Sequence, residues 1–185
     1  MINHIKHQLQ RVKACGADYA DARYFPVEET EHIAYVQGNL KTCYRARTTG
    51  VGVRVLYKGA WGFAAASTLD SLPALFDRAL DNAKVAAQRV TFPARLAAQQ
   101  PVKASYESPC AVDPFEASTA EKIAFLKRID GKLEHKTVAQ RFTHLDFMKR
   151  QMLFFNTEGA EIEKKIHEVF ASMKVVGIEK DGLSQ

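Results

Sequence analysis

Apolar positions along the chain change period several times, and each change marks an element. Ile5, Leu9 and Val12 fall at i, i+4 and i+7, one stripe of a helix that Asn3 is placed to cap and Gly16 to stop just after Cys15. About fifty residues of strand-like pattern follow. Tyr19 to Phe25 reads as a strand ended by Pro26, and Thr30 to Gln37 as a second. Gly38-Asn39 is a two-residue hairpin signal, and Leu40 to Thr48 returns. Val51, Val53, Val55 and Tyr57 share one parity, Lys58-Gly59 turns the chain, and Trp61 to Ala66 completes a meander. The pattern then becomes helical from Asp70 to about Val90. Leu72, Leu75, Phe76, Ala79, Leu80 and Ala83 form the predicted buried face, with Pro73 tolerated in the first turn.

Residues 93 to 114 hold Pro93, Pro101, Pro109 and Pro114 with little periodicity, which predicts a linker or long surface connection. Ser118 and Glu121 form a capping box that opens a helix carrying Ile123, Leu126, Ile129 and Leu133 on one side. Val138 to Met148, Gln151 to Phe155 and Ile162 to about Ile178 read as strands, with a turn at Asn156-Thr157-Glu158-Gly159. Strands joined by tight turns are antiparallel, because parallel neighbours need a crossover. The fold class expected is therefore α+β: an antiparallel β-meander sheet, or sheets, with about three helices packed on one face. A length of 185 residues suits one domain over 1–185. The alternative organisation is a sub-division into 1–92 and 115–185, joined by the connection 93–114.

Composition narrows the class without naming a chemistry. The 46% hydrophobic and 25% charged residues are ordinary for a globular chain. Lys plus Arg is 26 and Asp plus Glu 21, a net charge of +5. The basic residues are interspersed with acids, which argues for solvated surface rather than a nucleic-acid face. Cys15, Cys43 and Cys110 are odd in number and have no C-x-x-C spacing, which disfavours a disulfide framework and a cysteine zinc site and fits a reducing compartment. No apolar stretch is long enough for a signal or membrane segment, so a soluble cytoplasmic chain is expected.

Reaction chemistry is sparse. His4 and His7 lie one turn apart on the first helix, but two ligands do not make a zinc site. His167-Glu168 begins like a zinc-peptidase helix, yet Val169, Phe170, Ala171 and Ser172 follow and the stretch reads as strand. His32, His135 and His144 have no acidic or cysteine partner at ligand spacing. No G-x-S-x-G elbow occurs. Cys15 at a helix C-terminus, Cys43 in a strand and Cys110 in a loop carry no sign of activation. Gly50-Val51-Gly52 has too few glycines for a dinucleotide loop and leads into a strand. No catalytic and no metal-binding residue is assigned.

Four stretches taken together carry a resemblance: GADYADARYF (16–25), QGNLKTCYRA (37–46), GVGVRVLYKGAWGFAAAS (50–67) and FFNTEG (154–159). In this order and spacing they resemble the amino-terminal half of the TldD/PmbA family, called modulators of DNA gyrase and also zinc metallopeptidases. In that family a His-Glu-x-x-x-His helix supplies two zinc ligands and a general base. It lies beyond the region matched here, and this chain has no such motif. The resemblance implies a non-catalytic N-terminal domain that frames a substrate chamber and assists dimer assembly, with itself or with a family paralogue. Zinc is then expected in the full-length protein and no cofactor in this chain. A peptide or unfolded protein is the implied substrate. Extended peptides add to sheet edges, and Gly50, Gly52 and Gly62 would permit close backbone approach there; relief of twist within the sheet is the alternative role. The competing reading is a standalone interaction module of the gyrase-modulator type, with nucleic acid as a candidate associate whose binding would weaken steeply with salt.

Overall fold

A computed structural model describes residues 1–179 and 182–184. The elements run α1 (Ile2–Ala14), β1 (Tyr19–Val36), β2 (Asn39–Tyr57), β3 (Ala60–Ala66), α2 (Leu72–Ala87), β4 (Lys103–Glu107), α3 (Thr119–Lys132), β5 (Val138–Asn156), β6 (Glu161–Glu179) and β7 (Gly182–Ser184). This is an α+β fold whose mixed sheet is mostly antiparallel. Strand order is β3-β2-β1-β5-β6-β4, with β7 also pairing with β6. Among the described residues, no helix is long and apolar enough to cross a membrane.

Two compact units are interleaved in the chain. The first takes 1–27, 48–107 and 151–165, and the second 28–47, 108–150 and 166–185. These are not the segments 1–92 and 115–185. The long strands β1, β2, β5 and β6 each continue from one unit into the other, so no single cut in the sequence separates them.

In the first unit, α1 and α2 cover one face of the strands. Ile5, Leu9 and Val12 of α1 and all six predicted residues of α2 join Ala20, Ala22, Val51, Val53, Val55 and Ala64 in one core. Arg11 fastens the two helices together, donating to Asp77 Oδ1 (2.7 Å) and to the Pro73 carbonyl (3.0 Å). Asn3 lies inside α1 rather than capping it; Met1 holds the cap position and provides no side-chain hydrogen bond. In the second unit, Ile33, Tyr35, Leu145 and Phe147 pack with Phe115 and Leu126. The capping box at Ser118 is formed: its Oγ accepts from the Glu121 amide and Glu121 accepts from the Ser118 amide.

Other features depart from the pattern reading. Pro26 does not end a strand; β1 runs through it. Ala20, Ala22 and Tyr24 enter the first core and Ile33 and Tyr35 the second, so the inward phase changes between them, in the stretch that holds Pro26. That phase change makes one strand look like two. The first hairpin turns on Gln37-Gly38, with φ of 53° and 76°, one residue before the predicted pair. Lys58-Gly59 matches the prediction, with φ of 48° and 77°. Finally, the proline-rich connection contains β4, which pairs parallel to β6 with Lys103 opposite Glu161. The crossover that a parallel pair requires is supplied by α3 and β5, which lie between the two strands in sequence.

Candidate functional site

Beyond its helix-packed face, the first unit carries a cleft of about 320 Å³ lined by Tyr19, Arg54, Trp61, Gln100, Phe154 and Asn156 among others. Period two puts Tyr19 and Asp21 on the face of β1 opposite Ala20 and Ala22. The connection is fixed to this unit: the Ala94 amide donates to the Gly59 carbonyl (2.8 Å), and the Glu161 amide to the Val102 carbonyl (2.8 Å).

The charge here is organised around one carboxylate. Asp21 is fully buried. Arg54 donates to it from Nε (3.1 Å) and Nη2 (2.6 Å), and Arg23 lies 3.7 Å away. The hydrogen bond to Asp21 raises the Arg54 guanidinium above its ordinary range. That guanidinium sits 5.0 Å over the Trp61 ring, and Tyr19 meets Trp61 edge-on at 5.9 Å. Burial, with the nearby Asp21 charge adding, pushes the Tyr19 phenol above its usual range, although Asn156 donates to its oxygen (3.4 Å). The result is an amphipathic wall of rings and fixed donors. Asp21→Asn is expected to cost about 1–2 kcal/mol in a urea melt. That is below the ~3–5 of a fully buried pair because Arg54, 40% exposed, can turn to solvent.

The second unit holds a polar core and a row of rings. Lys122 and Glu31, both buried, pair at 2.5 Å, and Thr119 Oγ1 donates to the other Glu31 oxygen (2.7 Å). On the other strand face, Tyr44, His32, His144 and Phe170 stand side by side on β2, β1, β5 and β6, with centroids 5.5, 6.0 and 5.6 Å apart. Asp146 joins the two histidines, 2.6 Å from His32 Nδ1 and 3.5 Å from His144 Nε2. This corrects the expectation that His32 and His144 lack an acidic partner. His144 and Asp146 are i, i+2 on one strand and so share a face, the one local signal of the cluster; His32 arrives by strand pairing, which spacing does not show.

Among the described residues, no three His, Cys, Asp or Glu side chains are grouped to hold a metal. The described residues therefore offer no zinc site in this stretch; the resemblance places the expected zinc in the full-length protein. His167 lies in strand β6, 3.8 Å from Asp113. Cys15, Cys43 and Cys110 are exposed free thiols. The predicted glycines do not line the cleft. Gly62, opposite Val55, turns toward α2, where a Cβ would lie 2.1 Å from the Ala79 carbonyl. A Cβ at Gly52 would meet the Phe63 ring at 3.3 Å, and one at Gly50 the Ala66 carbonyl at 3.4 Å.

Comparison with known proteins assigns this architecture to a class. Residues 24–83 match the model described as PmbA/TldA metallopeptidase domain 1, and residues 112–184 that of the PmbA/TldA metallopeptidase central domain. The chain belongs to the TldD/PmbA family. A candidate modulator of DNA gyrase from Thermotoga maritima superposes with a TM-score of 0.77 at 18% identity, covering 97% of this chain and 41% of that one. One from Bacteroides thetaiotaomicron gives 0.75 at 11%, covering 95% and 41%. TldE from Thermococcus kodakarensis gives 0.67 at 12%, covering 98% and 41%. No curated protein matches the sequence. The chain thus spans about two-fifths of the length of these solved structures, and the likeness to them shows the fold.

Proposed function

We propose that this chain is the non-catalytic N-terminal part of a TldD/PmbA-type zinc metallopeptidase. It frames the chamber in which a peptide or unfolded segment is held, and it takes part in dimer assembly with a second copy or a family paralogue. Zinc is held by residues outside this stretch. The observation that carries the reading is the pair of family matches, to the first and central domains of a metallopeptidase. The cleft beside Arg54 and Trp61 adds to it. Rings that accept an apolar side chain stand next to the amides of Gln99, Gln100 and Asn156, which suit a peptide backbone. Gly62 serves helix packing in this reading, and Gly52 leaves room for the Phe63 ring of β3.

The 185-residue chain is expected to retain no stoichiometric zinc after dialysis and to leave an unstructured peptide intact, because hydrolysis needs an activated nucleophile or a metal-bound water. Cleavage that a chelator stops should appear only when the chain is produced together with the downstream half. Elemental analysis and a peptide assay check both, and chelator-sensitive cleavage by the short chain alone overturns the reading. The second reading, an interaction module acting on a DNA-acting enzyme, draws on the description of the two bacterial structures as candidate modulators of DNA gyrase. It requires binding of nucleic acid or of that enzyme by the isolated chain, with a steep salt dependence in the nucleic-acid case.

A further inference from the structure

The cleft of the first unit holds more positive charge than its buried carboxylate matches. Two guanidiniums, those of Arg54 and Arg23, converge on Asp21, and among the described residues neither has another ion pair. Asp21 takes the edge of the Arg54 guanidinium formed by Nε and Nη2. A second fork remains, Nη1 with the other Nη2 proton, and it donates to nothing among the described residues. The guanidinium is held in place by Asp21 along one edge and by the Trp61 ring 5.0 Å away. Burial keeps the Tyr19 phenol above its usual range, so at neutral pH it adds no negative charge beside the fork. Glu158, also on the cleft wall, is exposed and pairs with neither arginine among the described residues.

Groups suited to the end of a peptide stand around that fork. Leu96, Phe154 and Ile162 line the cleft with Trp61 and offer apolar surface to one side chain. Gln99 and Gln100 line it too. Their side-chain amides have no hydrogen-bond partner among the described residues, which leaves them for a neighbouring peptide unit. A volume of about 320 Å³ is at the small end for ligand pockets, which suits the last residue of a chain better than a long segment. Charge separates a chain end from a chain middle. An internal peptide unit is neutral, whereas the terminus brings a planar carboxylate, the shape that a guanidinium fork matches.

We propose that this cleft captures the C-terminal carboxylate of a peptide, with the unused Arg54 fork on the carboxylate and an apolar last side chain against Trp61 and Phe154. The inference rests on the reading of the cleft as a peptide holder and adds which part of the peptide it holds. Binding is read without zinc and without cleavage. Its failure would therefore leave the metallopeptidase reading standing, and a failure of zinc-dependent cleavage would leave the binding standing.

Trp61 is the chain's one tryptophan, so its fluorescence reports on the cleft directly. The 185-residue chain is titrated with three peptides. The first is acetyl-Gly-Ala-Leu with a free C-terminal carboxylate, and the second is its C-terminal amide. The third is acetyl-Glu-Ala-Leu amide, whose one carboxylate is on a side chain. The free acid should bind at least about tenfold more tightly than either amide, the expected worth of a charge-assisted bond to a guanidinium. Arg54→Lys keeps a charge beside Asp21 but has one ammonium for two carboxylates. It should weaken the free acid about tenfold and leave both amides within about twofold. Equal binding of free acid and amide overturns the proposal, and because it is read on the parent chain it does not depend on the variant folding. Equal binding of the side-chain carboxylate also overturns it, since the fork would then accept any acid. So does a Trp61 whose emission and indole proton resonance stay unchanged at millimolar free acid.

Discussion

Lys122→Met is expected to destabilise the chain by about 3–5 kcal/mol, lowering Tm by roughly 6–20 °C at this size. The reason is the place of its partner. Glu31 is 1% exposed and Lys122 6%. The ammonium lies 2.5 Å from Glu31 Oε2 and 4.4 Å from the centre of the Phe147 ring, with Phe115 on another side at 5.4 Å. Methionine fills nearly the same volume but leaves a carboxylate enclosed by rings, with Thr119 as its remaining donor. Breaking a buried pair from one side is costly, whereas replacing both members by apolar groups is often neutral. Glu31→Leu/Lys122→Met should therefore recover most of the loss. Urea unfolding followed by far-UV circular dichroism checks both variants. A single substitution costing under ~1 kcal/mol would mean that Glu31 reaches water or another donor, and the account would fail.

That pair also shows where the sequence stops being legible. The α3 pattern points to Ile123, Leu126, Ile129 and Leu133, yet the buried stripe is Lys122, Leu126 and Asp130. Both charged members have partners that arrive from strands: Glu31 on β1, and Arg141 on β5, whose Nε is 2.8 Å from Asp130. Hydrophobic periodicity treats a charge as solvent-facing, so it misplaces one whose partner comes from far along the chain. In α2 no such partner is involved, and all six predicted core residues are buried. The Lys58-Gly59 turn was legible for a similar reason, since positive φ at Gly59 is a local demand that a local residue meets, whereas Gly38 marked the first hairpin but not which neighbour shares its turn. The pairing of β4 with β6, the sharing of Asp146 by two histidines, and the cleft around Asp21 and Arg54 all depend on strand order, and nothing within a single window of sequence encodes strand order.

Gly62→Ala should cost about 3 kcal/mol, near the upper end for overpacking, and lower Tm by roughly 6–12 °C. The new methyl carbon would lie 2.1 Å from the Ala79 carbonyl oxygen, 2.3 Å from the Ala83 amide nitrogen and 2.8 Å from the Ala83 Cα. These are helix backbone atoms with no rotamer to escape into, so α2 must lift from β3. Lifting it loosens Phe76, Ala79 and Ala83 from Val53, Val55 and Ala64, which share the first unit's core. The other two glycines provide the contrast. At Gly52 the nearest atoms belong to the ring of Phe63, 58% exposed and able to turn aside, so alanine there should cost about 1 kcal/mol or less. At Gly50 the approach to the Ala66 carbonyl is ordinary contact, and alanine should fall within ~0.5 kcal/mol of the parent, helped by the smaller entropy of the unfolded chain. Thermal melts of the three variants should thus rank Gly62, Gly52, Gly50 in order of damage, the order of available space. If instead Gly62→Ala melts like the parent, while Gly50→Ala or Gly52→Ala keeps its stability and loses peptide binding in the assembled protein, these glycines serve an incoming strand rather than the packing of α2.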